Sequence, residues 1–217
     1  MTTQITQRLM ELTQGNDKAE RGCIVGQTGT GKSYLAARLL PRDKPLCIID
    51  PKRSFGYAAQ VYDSPAAIWR SKPERFIYRP KPVFFRDLQA YDEVYRYCYE
   101  RGPKMRGGIL VYTDDIVGVV HELRPPAYLQ MVYQMGRGLG IASLSCCQRP
   151  ARVPRFMTSE VEKSYCFRVR LRDDVKRINE DCCPGYDPDL LLSKHHFFYY
   201  DVYRMDVAQQ TIIRDRQ

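Results

Sequence analysis

Residues 26 to 33 read Gly26-Gln27-Thr28-Gly29-Thr30-Gly31-Lys32-Ser33, which fits the phosphate-loop pattern G-x-x-x-x-G-K-[ST] without gap or substitution. Glycines at this spacing let the backbone curl so that several N–H groups converge on an anion, and a following helix adds its positive end. Lys32 is then expected to reach the β- and γ-phosphates of a nucleotide, with the Ser33 hydroxyl as a ligand of Mg²⁺. About 80 residues downstream, Asp114-Asp115 closes the apolar run Ile109 to Thr113. A nucleotide triphosphatase needs one carboxylate for its metal and a second group for its water, and these two acids suit those roles, Asp114 for the metal and Asp115 for the water. An acid pair at a strand end also serves as a cap for the next segment. Further on, Arg137 precedes a strand that ends at Gln148. If that strand lies beside the phosphate-loop strand, Gln148 reaches the γ-phosphate. Arg137 at the domain surface would be a finger offered to a neighbouring subunit's nucleotide. Either residue, taken alone, also reads as an ordinary polar surface group.

The elements that must position these groups follow from pattern. Cys23-Ile24-Val25 is a short buried strand before the loop, and Ser33 to Leu40 is a helix stopped by Pro41. Further strands are expected over Pro45 to Asp50, Arg75 to Arg79, Gly108 to Ile116, Ile141 to Cys147, Tyr165 to Leu171 and Phe197 to Val202, with Thr211 to Arg214 closing the sheet. Helices are expected over Arg86 to Arg101 and Pro126 to Arg137, and Ile5, Leu9 and Leu12 give one short amphipathic helix near the start. Strands alternating with helices predict an α/β fold with a mostly parallel central sheet and helices on both faces. Ligands of such sheets bind at the carboxyl ends of the strands, where the phosphate loop lies.

Composition agrees with one globular domain. The 217 residues are 44% hydrophobic and 27% charged, with no linker and no repeat. No apolar run is long enough to cross a bilayer, and the N-terminal segment lacks the apolar centre of a signal peptide, so the chain is expected to be cytoplasmic. The eight cysteines show no C-x-x-C spacing and sit mostly in apolar strand-like runs, the pattern of small buried hydrophobes in a reducing compartment. The formal charge of +9 suits a polyanionic partner, and equally a solvated basic surface.

The order GQTGTGKS, IIDPKRS, ILVYTDD, RGLGIASLSCCQRP and SYCFRVRLRDDVKRI resembles the FtsK/HerA superfamily of hexameric DNA-pumping ATPases over roughly residues 21–178. The block from Arg137 to Pro150 is the most specific part. The resemblance implies a RecA-like P-loop fold, ATP and Mg²⁺ at Gly26 to Ser33, Asp114 and Asp115 as metal-holding and catalytic acids, Arg137 as a finger acting in trans, and Gln148 as the γ-phosphate sensor. It also implies double-stranded DNA gripped in the pore of a homo-oligomeric ring. Many relatives carry glutamate where this chain has Asp115. Size and motif order most resemble the genome-packaging ATPases of membrane-containing double-jelly-roll viruses. That likeness would add a capsid vertex or membrane protein as partner, and the host cytoplasm or assembling virion as location. On this reading residues 1–20 are an extension, 21–178 the motor core and 179–217 strands completing the sheet.

Lys52 and Arg53, just past a strand end, are candidates for DNA contact or for coupling DNA to the nucleotide, as are Arg149 and Arg152. Arg168, Arg170 and Arg172 alternate and are expected on one strand face; with Arg149, Arg152 and Arg155 they form either a phosphate-contacting surface or subunit interface, or a solvated basic edge. Tyr95, Tyr97 and Tyr99 either stack bases or pack against the sheet, and His195-His196 lacks ligand spacing and reads as structural. Two other functions use the same phosphate loop: a phosphoryl transferase acting on a small acceptor, and a non-catalytic assembly switch driven by ATP binding. The first wants an arginine-rich lid, which does not stand out. The second is disfavoured by the intact acid pair.

Overall fold

The computed structural model describes residues 19–82, 86–120, 123–203 and 206–211, the last of these as backbone. Its strands are β1 (Arg21–Val25), β2 (Leu46–Ile49), β3 (Gln60–Tyr62), β4 (Arg75–Tyr78), β5 (Ile109–Thr113), β6 (Ile141–Cys147), β7 (Lys163–Phe167), β8 (His196–Asp201) and β9 (Asp206–Thr211). Among the described residues they form one sheet in the order β3-β4-β2-β5-β6-β1-β7-β8-β9. Every pairing from β3 to β7 is parallel, and β8 and β9 add antiparallel. The helices are α1 (Lys32–Leu39), α2 (Pro65–Ser71), α3 (Leu88–Arg101), α4 (Ala127–Met135), α5 (Phe156–Ser159) and α6 (Arg172–Arg177), which runs into one π-helical turn, Ile178–Cys182. No helix among the described residues is long and apolar enough to cross a membrane.

Strand periodicity divides the core between the two faces. Ile24, Leu46, Ile48, Tyr112, Leu144 and Cys146 pack with Leu35, Ala36 and Leu39 of α1 on one face. Cys47, Ile49, Val111, Ile141 and Cys147 pack on the other with Val94, Tyr95 and Cys98 of α3 and Leu129 and Val132 of α4. Strands buried on both faces read as unbroken apolar runs, which is why they were visible in sequence. All eight cysteines are buried and unpaired by disulfides. The edge strand β3 and α2, whose Ser64 cap accepts from the Ala67 amide, carried no sequence signal strong enough to assign.

Several expectations need correction. β7 ends at Phe167, so Arg168 and Arg170 lie in the connection that follows and Arg172 begins α6; the three do not share a strand face. β5 stops at Thr113, where Asp114 turns the chain. Tyr95 and Tyr97 are fully buried, hydrogen-bonded to Thr113 Oγ1 (2.6 Å) and to the Pro73 carbonyl (2.8 Å), and Tyr99 packs against Tyr128. Of the two readings of these tyrosines, packing is the one observed. The helix expected over residues 5–12 and the end of the strand expected to Arg214 lie outside the described residues.

Asp50, fully buried at the end of β2, holds the next loop. Its carboxylate accepts from the Ser54 and Phe55 amides (3.2 and 3.0 Å) and from Arg79 Nε (2.8 Å). Asp50→Ala removes the acceptor of the buried Phe55 amide, the part-buried Ser54 amide and the Arg79 guanidinium, and is expected to cost about 3 kcal/mol in urea unfolding. Lys81→Ala, which removes a pair exposed on both sides, should cost under about 1 kcal/mol.

Candidate nucleotide site

β1 lies between β6 and β7, and its continuation is gripped by both: the Gly26 amide donates to the Cys147 carbonyl (3.0 Å) and the Gln27 amide to the Arg168 carbonyl (3.1 Å). The chain then curls into the loop before α1. Gly31 takes φ 103°, a left-handed value open to glycine at low cost. At Gly26 the constraint is contact, since a Cβ there would stand 2.5 Å from Phe167 Cβ. The Gln27 carbonyl closes the loop by accepting from Thr30 Oγ1 (2.8 Å) and from Lys32 Nζ (2.7 Å). Lys32 is thus parked on a neutral carbonyl oxygen of its own loop. Burial draws its ammonium below the usual lysine range, and an anion nearby would oppose that shift.

The acids and the glutamine converge on this loop. Ser33 Oγ donates to Asp114 Oδ1 (3.3 Å), and burial pushes the Asp114 carboxyl above the usual range. A hydroxyl and a carboxylate side by side are hard oxygen donors, the set that Mg²⁺ accepts, so the residues present fit that ion. Asp115 adopts φ 53°, ψ 63°, a left-handed conformation that aspartate tolerates better than most residues but that still costs energy. Its Oδ2 lies 2.5 Å from Lys52 Nζ, on the loop fastened by Asp50. Thr28 Oγ1 donates to Gln148 Oε1 (3.0 Å), which brings the residue after β6 onto the phosphate loop. These groups line a cleft of about 300 Å³ formed by Thr28, Gly29, Gly31, Lys32, Ser33, Tyr34, Lys52, Ser54, Asp114, Asp115, Cys146 and Gln148. That volume is at the small end for a ligand site.

Arg137 stands elsewhere. It lies in the turn before β6, at the end of that strand remote from Gln148, and seven strand residues at about 3.3 Å each separate the two ends by roughly 20 Å. Its guanidinium pairs with Glu162 Oε1 (2.9 Å) and lies over the Tyr203 ring (5.5 Å). Arg149 is committed to buried Asp174 (Nε–Oδ2 2.7 Å), which also accepts from the Ala151 amide. Arg53 is bent back onto the Arg79 and Pro80 carbonyls. Arg152 closes a short 3₁₀ turn, Pro150–Arg152.

Tyr34, Ser54, Tyr112, Cys146 and His195 were not singled out for the site from sequence. Tyr34 is the residue after the motif, and Ser54 and Cys146 follow once the neighbouring strands are known. His195 Nδ1 lies 3.2 Å from the Thr30 carbonyl, a contact across 165 residues that no local signal announces. Among the described residues no cluster of three or more His, Cys, Asp or Glu is arranged to hold a metal ion.

The sequence matches no family model and no curated protein. The fold does match solved structures. The genome-packaging NTPase B204 of Sulfolobus turreted icosahedral virus 2, in complex with sulfate, superposes with TM-score 0.75 at 14% identity, covering 92% of this chain and 99% of that one. The same protein in complex with AMPPCP gives TM-score 0.69 at 16% identity, over 91% and 100% of the two chains. EccC of Thermomonospora curvata (ATPases 2 and 3) gives TM-score 0.57 at 15% identity, over 91% of this chain and 37% of that one. The RecA-like P-loop fold expected from the motifs is the fold observed.

Gly26→Ala puts a methyl group into Phe167 and tilts the loop's first amide. A fluorescent ATP analogue titrated against this variant is expected to bind at least about tenfold more weakly than to the wild type, while circular dichroism keeps the wild-type helix content.

Proposed function

From that shared fold we propose that the chain is an ATP-hydrolysing motor that moves double-stranded DNA as a homo-oligomeric ring, packaging a viral genome into a preformed capsid. One observation carries the reading: the cleft unites phosphate loop, two acids and Gln148 but, among the described residues, no arginine lines it, while Arg137 lies at the far end of β6. A site of this kind becomes complete when a second subunit brings its Arg137 to the cleft. The solved structures similar to this chain include a viral genome-packaging NTPase, which supports the choice of cargo. The +9 charge supports a polyanionic one.

Mg-ATP would be held with its phosphates on the Gly26 to Ser33 amides. Lys32 leaves the Gln27 carbonyl for the γ-phosphate, and Ser33 and Asp114 supply the protein oxygens for the metal. The ion, when bound, neutralises phosphate charge. Asp115 accepts a proton as water attacks the γ-phosphorus. The bond from that phosphorus to the β–γ bridging oxygen breaks, and ADP and phosphate leave. Gln148 would sense whether the γ-phosphate is present, a reading supported by its hydrogen bond to Thr28. The neighbour's Arg137 stabilises the charge that develops in the transition state, an effect on the order of 10³–10⁵ in rate for such fingers.

Lys52 ties Asp115 to the loop after β2 and is the better candidate for coupling nucleotide state to DNA. Of the other coupling candidates, Arg152 remains one on its position alone, while Arg53 and Arg149 would first have to give up their present partners. A capsid vertex or membrane protein would anchor the ring, at the assembling virion or in the host cytoplasm. The six-subunit ring, and the division into extension, motor core and sheet-completing strands, belong to the same proposal.

Subunit complementation tests the proposal. Arg137→Ala and Asp115→Asn proteins are each expected to lose at least about 100-fold in ATPase rate. Mixed together, they should recover a substantial part of it, because an Arg137→Ala subunit keeps an intact cleft and an Asp115→Asn subunit keeps its finger. Failure of every mixing ratio to exceed the separate rates would contradict a site shared between subunits.

A further inference from the structure

Tyr112, in β5, packs on the α1 face of the sheet, and Asp114 follows two residues later, just past the end of the strand. It is fully buried, and its hydroxyl donates to Asp114 Oδ1 at 2.8 Å. This is the same carboxylate oxygen that accepts from Ser33 Oγ at 3.3 Å. The hydroxyl also approaches Cys146 Sγ at 3.2 Å, from the neighbouring strand β6. The Tyr112 ring is fixed in turn by Phe55, with centroids 4.9 Å apart at 44°, and the Phe55 amide is held by Asp50. A single phenol therefore meets the acid beside Ser33, lies against the strand that precedes Gln148, and packs on the loop that carries Lys52 to Asp115.

We propose that Tyr112 is the positioning residue for Asp114: it fixes the rotamer of that carboxylate so that Asp114 and Ser33 present their oxygens together to the Mg²⁺ of a bound nucleotide. The inference rests on the Mg-nucleotide reading of the cleft. Position makes the arrangement possible: two residues before the acid, Tyr112 stays in the core while its hydroxyl reaches the carboxylate. A buried carboxylate with one donor from the phosphate loop and one from its own strand has little freedom to rotate. A hydrogen bond to a ligand of this kind commonly carries 10- to 100-fold in metal affinity. Tyr112→Phe keeps the ring and its contact with Phe55, and removes only the hydroxyl.

The readout is binding rather than turnover: fluorescent ATP analogue titrated at increasing Mg²⁺, with thermal melts run in parallel. For Tyr112→Phe, the Mg²⁺ concentration that half-saturates the enhancement of binding should rise about tenfold, with Mg²⁺-free binding unchanged. Tyr95→Phe removes a buried hydroxyl bonded to Thr113 Oγ1, in the core on the opposite face of the sheet from Tyr112; it should lower the melting temperature and leave the Mg²⁺ dependence where it was. Phe55→Leu keeps the hydroxyl but loosens the ring, and should shift the Mg²⁺ dependence in the same direction by about two- to threefold. Tyr112→Phe and Phe55→Leu both matching the wild-type Mg²⁺ curve would overturn the positioning role while leaving the nucleotide site intact. A wild-type protein whose analogue binding ignores Mg²⁺ would overturn the Mg-nucleotide reading and this inference with it.

Discussion

The site depends on where β1 is inserted. Its parallel pairing with β6 on one side and β7 on the other directs the amides of Gly26 and Gln27 onto Cys147 and Arg168, so the phosphate loop starts from a fixed point. β5 lies on the far side of β6, and the register of the three strands brings Asp114, Gln148 and the loop to one edge of the sheet. None of these groups is near another in sequence. Parallel strands that share a direction must end at the same edge, which is how a sheet of this type concentrates polar groups otherwise scattered along a chain.

Burial then sets the electrostatics. Lys32 and Asp114 are both desolvated, one against a carbonyl and the other against two hydroxyls, and each is shifted toward its neutral form. Two opposite charges held in a cleft without full compensation suit a ligand that brings both signs, as a metal–phosphate does. The strained backbone at Asp115, fastened through Lys52 to a loop clamped by Asp50, adds a carboxylate whose place depends on contacts outside its own strand. Arg137 belongs to a different electrostatic unit. It shares buried Glu162 with Arg21, so the carboxylate keeps a partner if Arg137 turns toward another molecule.

Much of this was legible in sequence because the motifs and the strands share one physical origin. The phosphate loop needs glycines where backbone and Phe167 crowd it, and the strands before and beside it are buried on both faces, so they read as apolar runs. β6 was legible to its end residues for that reason. What escaped notice lacks such signals. β3 is a three-residue edge strand with only Tyr62 buried. The run from Arg168 to Arg172 alternates like a strand, but leaves the sheet after Phe167 and turns into α6, whose Asp174 neutralises Arg149. Alternation marks a strand only where a partner strand continues, and sequence does not report the partner. Tyr112 reads as one more apolar strand residue; its role follows only from the carboxylate two positions on.

We propose that nucleotide chemistry waits for a neighbouring subunit and for DNA. The most direct measurement is the ATPase rate per subunit against protein concentration, with and without linear double-stranded DNA, for the wild type and for Arg137→Ala. The account predicts a wild-type rate that climbs with concentration and again with DNA, and a variant that stays near its dilute-solution rate throughout. A wild-type rate that is flat in concentration, indifferent to DNA and shared by the variant would contradict it.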